Sequence, residues 1–335
     1  MVVLEKNDGD CWFPAINPPT FDPKNMDLAS EYLTEHGYCV FQDVVNETEI
    51  SEIRELLRED LLAANPSIPK DTDLEEFTEE MVATNEKGLS VWYAHGKAAW
   101  HVRLLPSVRK IFSNLLEVEE DKMVSSFDVV ALSVNGAKHG TNQWWGHVDH
   151  AKYSTAEGQL LPGADITAFQ SSLYMTDATH DSSTSFVAVP GSHKHWEELV
   201  EDHRRTGTGM CCPRCASQHF LPASKERWLD KAVRVRVRKG ALLVWNSKLI
   251  HQSAAPHTQS PAHTHTASAN PQQEVADTSA NTHSQQDDDH QHQKQQQQQQ
   301  QRKGFARIAF MVSYGRVAER GEGAEARQLA MLLTA

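Results

Sequence analysis

His147-Val148-Asp149 sets an imidazole and a carboxylate at positions i and i+2. On an extended segment such alternate side chains project to one side, so both groups face a shared space. A second imidazole from a distant strand would complete a set of two histidines and one carboxylate. That set occupies one face of iron(II) and leaves three positions for a chelating co-substrate and dioxygen. With 18 histidines in the chain a lone His-x-Asp is weak, but this is the only one, and His251 ends the apolar run GALLVWNSKLIHQS (240–253) well downstream. A co-substrate carboxylate also needs a fixed cation. Arginine suits the task, because its planar fork meets a carboxylate with two parallel hydrogen bonds and stays charged at any working pH. Arg307 lies within the apolar run FARIAFMVSY (305–314), where a buried charge requires a partner that a dicarboxylate would supply. The plainer reading of Arg307 is a guanidinium that reaches the strand edge.

These residues need a rigid frame. From residue 126 onward short β-rich runs follow one another, bounded by Gly, Pro, Asn or Asp: 127–134, 166–175, 185–190, 233–237, 241–245 and 305–314. Val233, Val235 and Val237 alternate with arginines, which predicts a half-buried antiparallel strand. The first third is mostly helical. Leu28, Tyr32 and Leu33 share a face over 26–36 with Gly37 behind them, and Asn46 with Glu49 opens a second helix in capping-box fashion. Further helices are expected over 73–83 and 105–116. The predicted class is mainly β with a helical buttress (α+β), the core being a sandwich, jelly roll or barrel. Residues 1–125 form the helical N-terminal buttress of the same domain, and 126–253 with 303–317 form the core. Residues 254–302, Gln- and His-rich and ending in the glutamine run Gln295–Gln301, are expected to be a disordered insertion. Residues 318–335 are expected to be a C-terminal helix.

The formal net charge of −13 has the wrong sign for a nucleic-acid backbone, so no nucleic-acid partner is expected. No apolar stretch reaches the length of a membrane span, and the first residues lack the apolar core of a signal peptide, so a cytoplasmic protein is expected. Five irregularly placed cysteines do not make a disulfide framework. Cys211, Cys212 and Cys215, with His203 and His219, could supply a structural zinc site, although a single C-x-x-C favours reduced loop thiols.

HVDH (147–150), SLYMTDATHDSSTSFVAVPGSHK (172–194), GALLVWNSKLIHQS (240–253) and FARIAF (305–310) together resemble the phytanoyl-CoA dioxygenase family. EYLTEHGYCVFQDVVNETEISEIRELL (31–57) is similar to that family's opening helix–strand–helix, so the resemblance spans about residues 27–315. It implies a double-stranded β-helix oxygenase using iron(II), 2-oxoglutarate and O2, with ascorbate as a candidate accessory requirement. It also implies His147, Asp149 and His251 as metal ligands, Arg307 as the arginine that grips 2-oxoglutarate, and Ser253 as a hydroxyl supporting the same carboxylate. Trp144 or Gln143 would fill an aromatic or polar place just before the His-x-Asp.

The chain departs from the family pattern by the long separation of His251 from Arg307 and by DSSTS (181–185) where a Gly-rich turn is usual. A loop insertion of that length is tolerable, because closure cost grows only with the logarithm of loop length. Halogenating relatives replace the carboxylate with a small residue so that chloride can bind. Asp149 therefore points to hydroxylation, or another oxidation, of a small-molecule substrate with release of succinate and CO2. Two rival readings fit the same residues: a jelly-roll binding protein without turnover, and a cupin-like metal enzyme that does not use 2-oxoglutarate.

Overall fold

Two short strands, Ala15–Ile16 (β1) and Thr20–Phe21 (β2), lead into the helix Met26–His36 (α1). Gly37 ends that helix at φ 82°, a left-handed conformation that costs glycine no Cβ clash, and the chain turns at once into the buried strand Tyr38–Phe41 (β3). This computed structural model describes residues 13–85, 88–126, 128–135, 143–149, 168–180, 183–199, 210–212, 217–219, 225–255 and 303–316; for 210–212, 217–219 and 225–226 it describes backbone alone. The loop expected to 302, apart from its first two residues, and the helix expected over 318–335 lie outside the described residues, as do His203 and Cys215.

The helix Glu47–Ala64 (α2) starts as its sequence predicts. Asn46 accepts from the backbone of Thr48 and Glu49, and the Glu49 side chain accepts from the Asn46 N–H. Ile50, Ile53, Leu57 and Leu61 form its buried face. The helix expected over 73–83 is instead two 3-10 turns, Leu74–Glu76 and Glu79–Met81. Phe77 between them is extended and fully buried, so seating its ring in the core breaks the helical path. After Leu89–Ser90 (β4) come Lys97–Leu104 (α3) and Pro106–Leu116 (α4), the latter opened by a proline in its first turn, where a missing N–H costs nothing. The sequence pattern shows only the second of these two helices.

Strands then dominate: Met123–Ser125 (β5), Val130–Val134 (β6), His147–Val148 (β7), Phe169–Tyr174 (β8), Ser185–Ala188 (β9), Met210–Cys212 (β10) and Ser217–His219 (β11). The short helix Lys225–Leu229 (α5) precedes Val233–Val235 (β12), Leu242–Asn246 (β13), His251–Ala254 (β14) and Phe305–Arg316 (β15). They form two sheets, ordered β1-β12-β9-β14-β7-β11-β10 and β2-β3-β13-β8-β15-β6-β4, with β5 also paired to β15. From β6 to β9 successive strands alternate between the sheets, and β12 to β15 repeat the alternation. That is a jelly roll, and neither sheet closes on itself.

Three apolar clusters follow from strand alternation. Outward residues of the second sheet, such as Leu132, Leu173, Val244 and Phe310, pack against α1 to α4. Tyr174, Phe186, Leu243, Trp245 and Ala309 fill the space between the sheets. Val148, Val187, Ile250, Trp196 and Trp228 cover the back of the first sheet. The Val/Arg alternation of 233–237 misleads in one respect. Arg234 is not a solvent-facing residue but is 1% exposed, its guanidinium donating to the carbonyls of Ser183 at 3.3 Å and Ala255 at 3.0 Å. Those carbonyls replace water, so the outer face of β12 is buried as well.

Candidate metal centre

β7 and β14 are antiparallel neighbours, and His251 is the register partner of His147. Directly opposite residues project to the same face of a sheet, so both imidazoles point into the space between the sheets, and Asp149 follows two residues after His147 on that side. The Asp149 N–H donates to the Ser247 carbonyl at 3.0 Å, which fixes the carboxylate-bearing residue to the turn joining β13 to β14. One carboxylate oxygen of Asp149 lies 3.5 Å from His147 Nε2 and the other 3.3 Å from His251 Nε2. One ligand atom from each of the three residues falls within 4.8 Å of the other two.

The neighbours hold each ring in place. His251 Nδ1 donates to the Leu249 carbonyl at 3.0 Å, and since a carbonyl can only accept, Nδ1 carries the proton and Nε2 is the nitrogen turned to the cluster. Phe186 and Trp245 flank the same ring at 5.4 Å between centroids. Trp145 stacks on His147 at 4.7 Å and 13° between planes. Its indole N–H donates to the Ser253 carbonyl at 3.0 Å, and its backbone N–H donates to Gln252 Oε1 at 2.9 Å. Burial would raise the Asp149 carboxyl, but the charge of His147, with the hydrogen bond and charge of His251, outweighs it and holds that group well below the ordinary carboxylate range.

The structure thus brings His147, Asp149 and His251 together, and their sequence separation is bridged by strand pairing. Ser253 lies on β14 two residues beyond His251, on the same face. Arg307 is 4% exposed near the start of β15, its guanidinium carbon 5.6 Å from the centre of the Tyr174 ring. Trp144 packs with the apolar cluster behind the first sheet, and Gln143 is exposed. Trp145, stacked on His147, and Tyr174, beside Arg307, are neighbours that sequence spacing does not single out. Trp145 is marked only by its closeness to the His-x-Asp, and Tyr174 reads as one more aromatic in an apolar strand.

Residues 33–264, well over half of the chain, match the family model described as phytanoyl-CoA dioxygenase (PhyH). The chain belongs to the phytanoyl-CoA dioxygenase family. It is an enzyme of the 2-oxoglutarate-dependent, non-haem iron oxygenases. The PhyH match ends before Arg307, which lies beyond residues 256–302.

Similar solved structures include the non-haem α-ketoglutarate-dependent carbocyclase SnoK from nogalamycin biosynthesis, at 14% identity and TM-score 0.48, covering 88% of this chain and 86% of that one. EctD from S. alaskensis with bound Fe follows at 13% and 0.47, covering 94% and 85%. HygX from Streptomyces hygroscopicus with nickel and 2-oxoglutarate bound follows at 12% and 0.45, covering 89% and 88%. No curated protein matches the sequence. No helix among the described residues is long and apolar enough to cross a membrane.

Proposed function

We propose that this enzyme hydroxylates or otherwise oxidises a small-molecule substrate while converting 2-oxoglutarate to succinate and CO2, with His147, Asp149 and His251 as the iron ligands. The observation that carries the reading is the approach of one carboxylate to two imidazole nitrogens at 3.3 and 3.5 Å. Ligand atoms each about 2.1 Å from one ion stand roughly 3 Å apart around it, so both carboxylate–imidazole approaches are near those of ligands sharing one ion, and one ligand atom from each residue lies within 4.8 Å of the others. Its chemistry fits as well: two neutral nitrogens and one anionic oxygen on a single side suit iron(II) and leave coordination positions open. When bound, iron(II) supplies one-electron and dioxygen chemistry that amino-acid side chains lack.

The chain's own residues have three tasks. His251 presents Nε2 because Leu249 holds Nδ1, and Trp145 fixes the plane of His147. Phe186 and Trp245 wall His251 with apolar rings and exclude water from that flank. Arg307 grips the distal carboxylate of 2-oxoglutarate, and Ser253 adds a hydroxyl. Support for this assignment comes from Arg307 Nε, which is buried without a hydrogen-bond partner among the described residues and so lacks the acceptor that a carboxylate would supply. Because Asp149 supplies its carboxylate to the cluster, the site is suited to oxygenation rather than halide transfer. Dioxygen is then the second co-substrate, and ascorbate belongs in the assay as a reductant. The proposed catalytic core is 126–253 with 303–317, buttressed by 1–125.

The test is succinate formation from 2-oxoglutarate with added iron(II), screened across small-molecule classes for stimulation. Iron-dependent succinate release that a substrate accelerates is expected. Tight 2-oxoglutarate binding with no succinate under any of these conditions would instead identify a binding protein.

A further inference from the structure

Two buried donor groups meet between the sheets, and among the described residues neither the Tyr174 hydroxyl proton nor Arg307 Nε finds an acceptor. Tyr174 on β8 is register partner of Ala309 on β15, and both belong to the inter-sheet cluster. Arg307 lies two residues before Ala309, on the same face of β15. Tyr174 is 0% exposed and Arg307 4%; Arg307 Nε has no hydrogen-bond partner among the described residues, and the side chain bonded to the Tyr174 hydroxyl is Arg307, itself only a donor.

A guanidinium carries five donors and no acceptor, so Arg307 can offer hydrogens to the phenolic oxygen but can never receive the phenolic proton. That proton needs an acceptor, since a buried hydroxyl left without one bears its desolvation penalty uncompensated. Burial pushes the Tyr174 phenol above its ordinary range against the opposing charge of Arg307, so at working pH it stays a neutral O–H donor. A carboxylate has two oxygens in one plane and only accepts. It satisfies an arginine and a tyrosine side by side, whereas water or another hydroxyl would bring donors of its own.

We propose that the Tyr174 hydroxyl is a second donor to the distal carboxylate of 2-oxoglutarate, beside Arg307, and sets the affinity for that co-substrate. The inference rests on the proposed function and adds a binding residue to it. Tyr174 contributes through binding and takes no part in the metal centre.

Tyr174→Phe removes one hydroxyl and keeps the ring. Manganese(II)-loaded wild type and variant are titrated anaerobically with 2-oxoglutarate by calorimetry, and thermal midpoints are recorded with and without the co-substrate. The variant should bind 2-oxoglutarate about tenfold more weakly, the loss of one charge-assisted hydrogen bond. Its manganese affinity should be unchanged. Its ligand-free midpoint should equal or exceed that of wild type, because the unsatisfied hydroxyl is gone, while the upward shift given by 2-oxoglutarate should shrink. That opposite response is one a merely structural tyrosine would not give. An unchanged 2-oxoglutarate constant in the variant, with normal binding by wild type, overturns this inference alone. Wild-type protein that loads manganese yet takes up no 2-oxoglutarate overturns the co-substrate reading and the inference together.

Discussion

His147 and His251 stand opposite each other at the one position where β7 and β14 pair, their ring centroids 4.5 Å apart at 43°. Opposite residues on antiparallel strands keep Cβ atoms about 4.5–5.5 Å apart, so a single ladder position delivers both imidazoles to one point. Asp149, one strand repeat from His147, supplies the carboxylate to the same side. Asp149 itself lies just past the end of β7, where its N–H bond to the Ser247 carbonyl ties it to the turn between β13 and β14.

Asp149→Ala should abolish iron-dependent turnover and weaken manganese(II) binding by on the order of 100-fold or more, since even partners of metal ligands are worth 10–100-fold. The fold should persist, because Asp149 belongs to none of the apolar clusters. Calorimetry with manganese and a far-ultraviolet melt of the metal-free variant check both points. Retained turnover would remove Asp149 from the ligand set.

The same carboxylate makes metal-free stability depend on pH. Burial would raise its pKa, but the charge of His147 and the hydrogen bond and charge of His251 lower it further than burial raises it. A carboxyl depressed in the folded state adds stability that is complete above its unfolded value, about pH 4, and is lost as pH falls towards the folded value. Urea midpoints of the metal-free wild type should therefore fall from about pH 4 downward. Asp149→Asn should flatten that acid limb. Parallel acid limbs would mean the carboxylate–imidazole contacts are not made without metal.

Arg307→Lys keeps the charge but replaces a planar fork with a point donor. The Michaelis constant for 2-oxoglutarate should rise about tenfold or more, with a smaller change in kcat, because the lost contact serves co-substrate binding. Steady-state succinate release over a range of 2-oxoglutarate concentrations measures both. An unaltered Michaelis constant reassigns the carboxylate grip to another residue.

Trp145 acts on the centre through two separable contacts, the stack on His147 and the indole hydrogen bond to the Ser253 carbonyl. Trp145→Phe should lose the second and cost about 1 kcal/mol of stability with metal affinity nearly intact. Trp145→Ala loses both and should also weaken nickel(II) or manganese(II) binding, as His147 gains freedom to rotate. Equal metal constants in the two variants would show that the stack does not orient the ligand.

How far the sequence carried these conclusions differs from residue to residue. The i, i+2 spacing of His147 and Asp149 is a local property of strands and was readable directly, as was the Asn46–Glu49 capping box. His251 and Arg307 stand out in the sequence only by their apolar strands and the family resemblance, since cross-sheet pairing leaves no local mark. Tyr174 and Trp145 could not be ranked, because their roles depend on which partner lies across the inter-sheet space. Helix α3 leaves no clear sequence pattern for a similar reason. Its eight residues carry a weak apolar stripe, and its cap comes from another helix.

That borrowed cap gives the last prediction. No side chain of its own caps α3 at Gly96; instead the Asp60 carboxylate of α2 accepts from the Lys97 N–H at 2.9 Å and the Ala98 N–H at 3.0 Å. A carboxylate there satisfies two of the helix's unpaired N–H groups and meets the positive end of its dipole. α3 in turn buries Ala98, Ala99, Val102 and Arg103 against the sheet that carries Arg307, so the cap helps to fix the buttress to the core. Asp60→Ala should cost about 1–2 kcal/mol, with Asp60→Asn recovering part of it through its one acceptor oxygen. Gly96→Ala should cost a similar amount by a different route, since a Cβ there would lie 2.2 Å from the Asp60 carboxylate and displace it. Combining Asp60→Ala with Gly96→Ala should then cost less than the sum, because the alanine methyl no longer meets a carboxylate. Urea midpoints of the three variants decide the matter, and strict additivity would show that the glycine is required for some reason other than the cap.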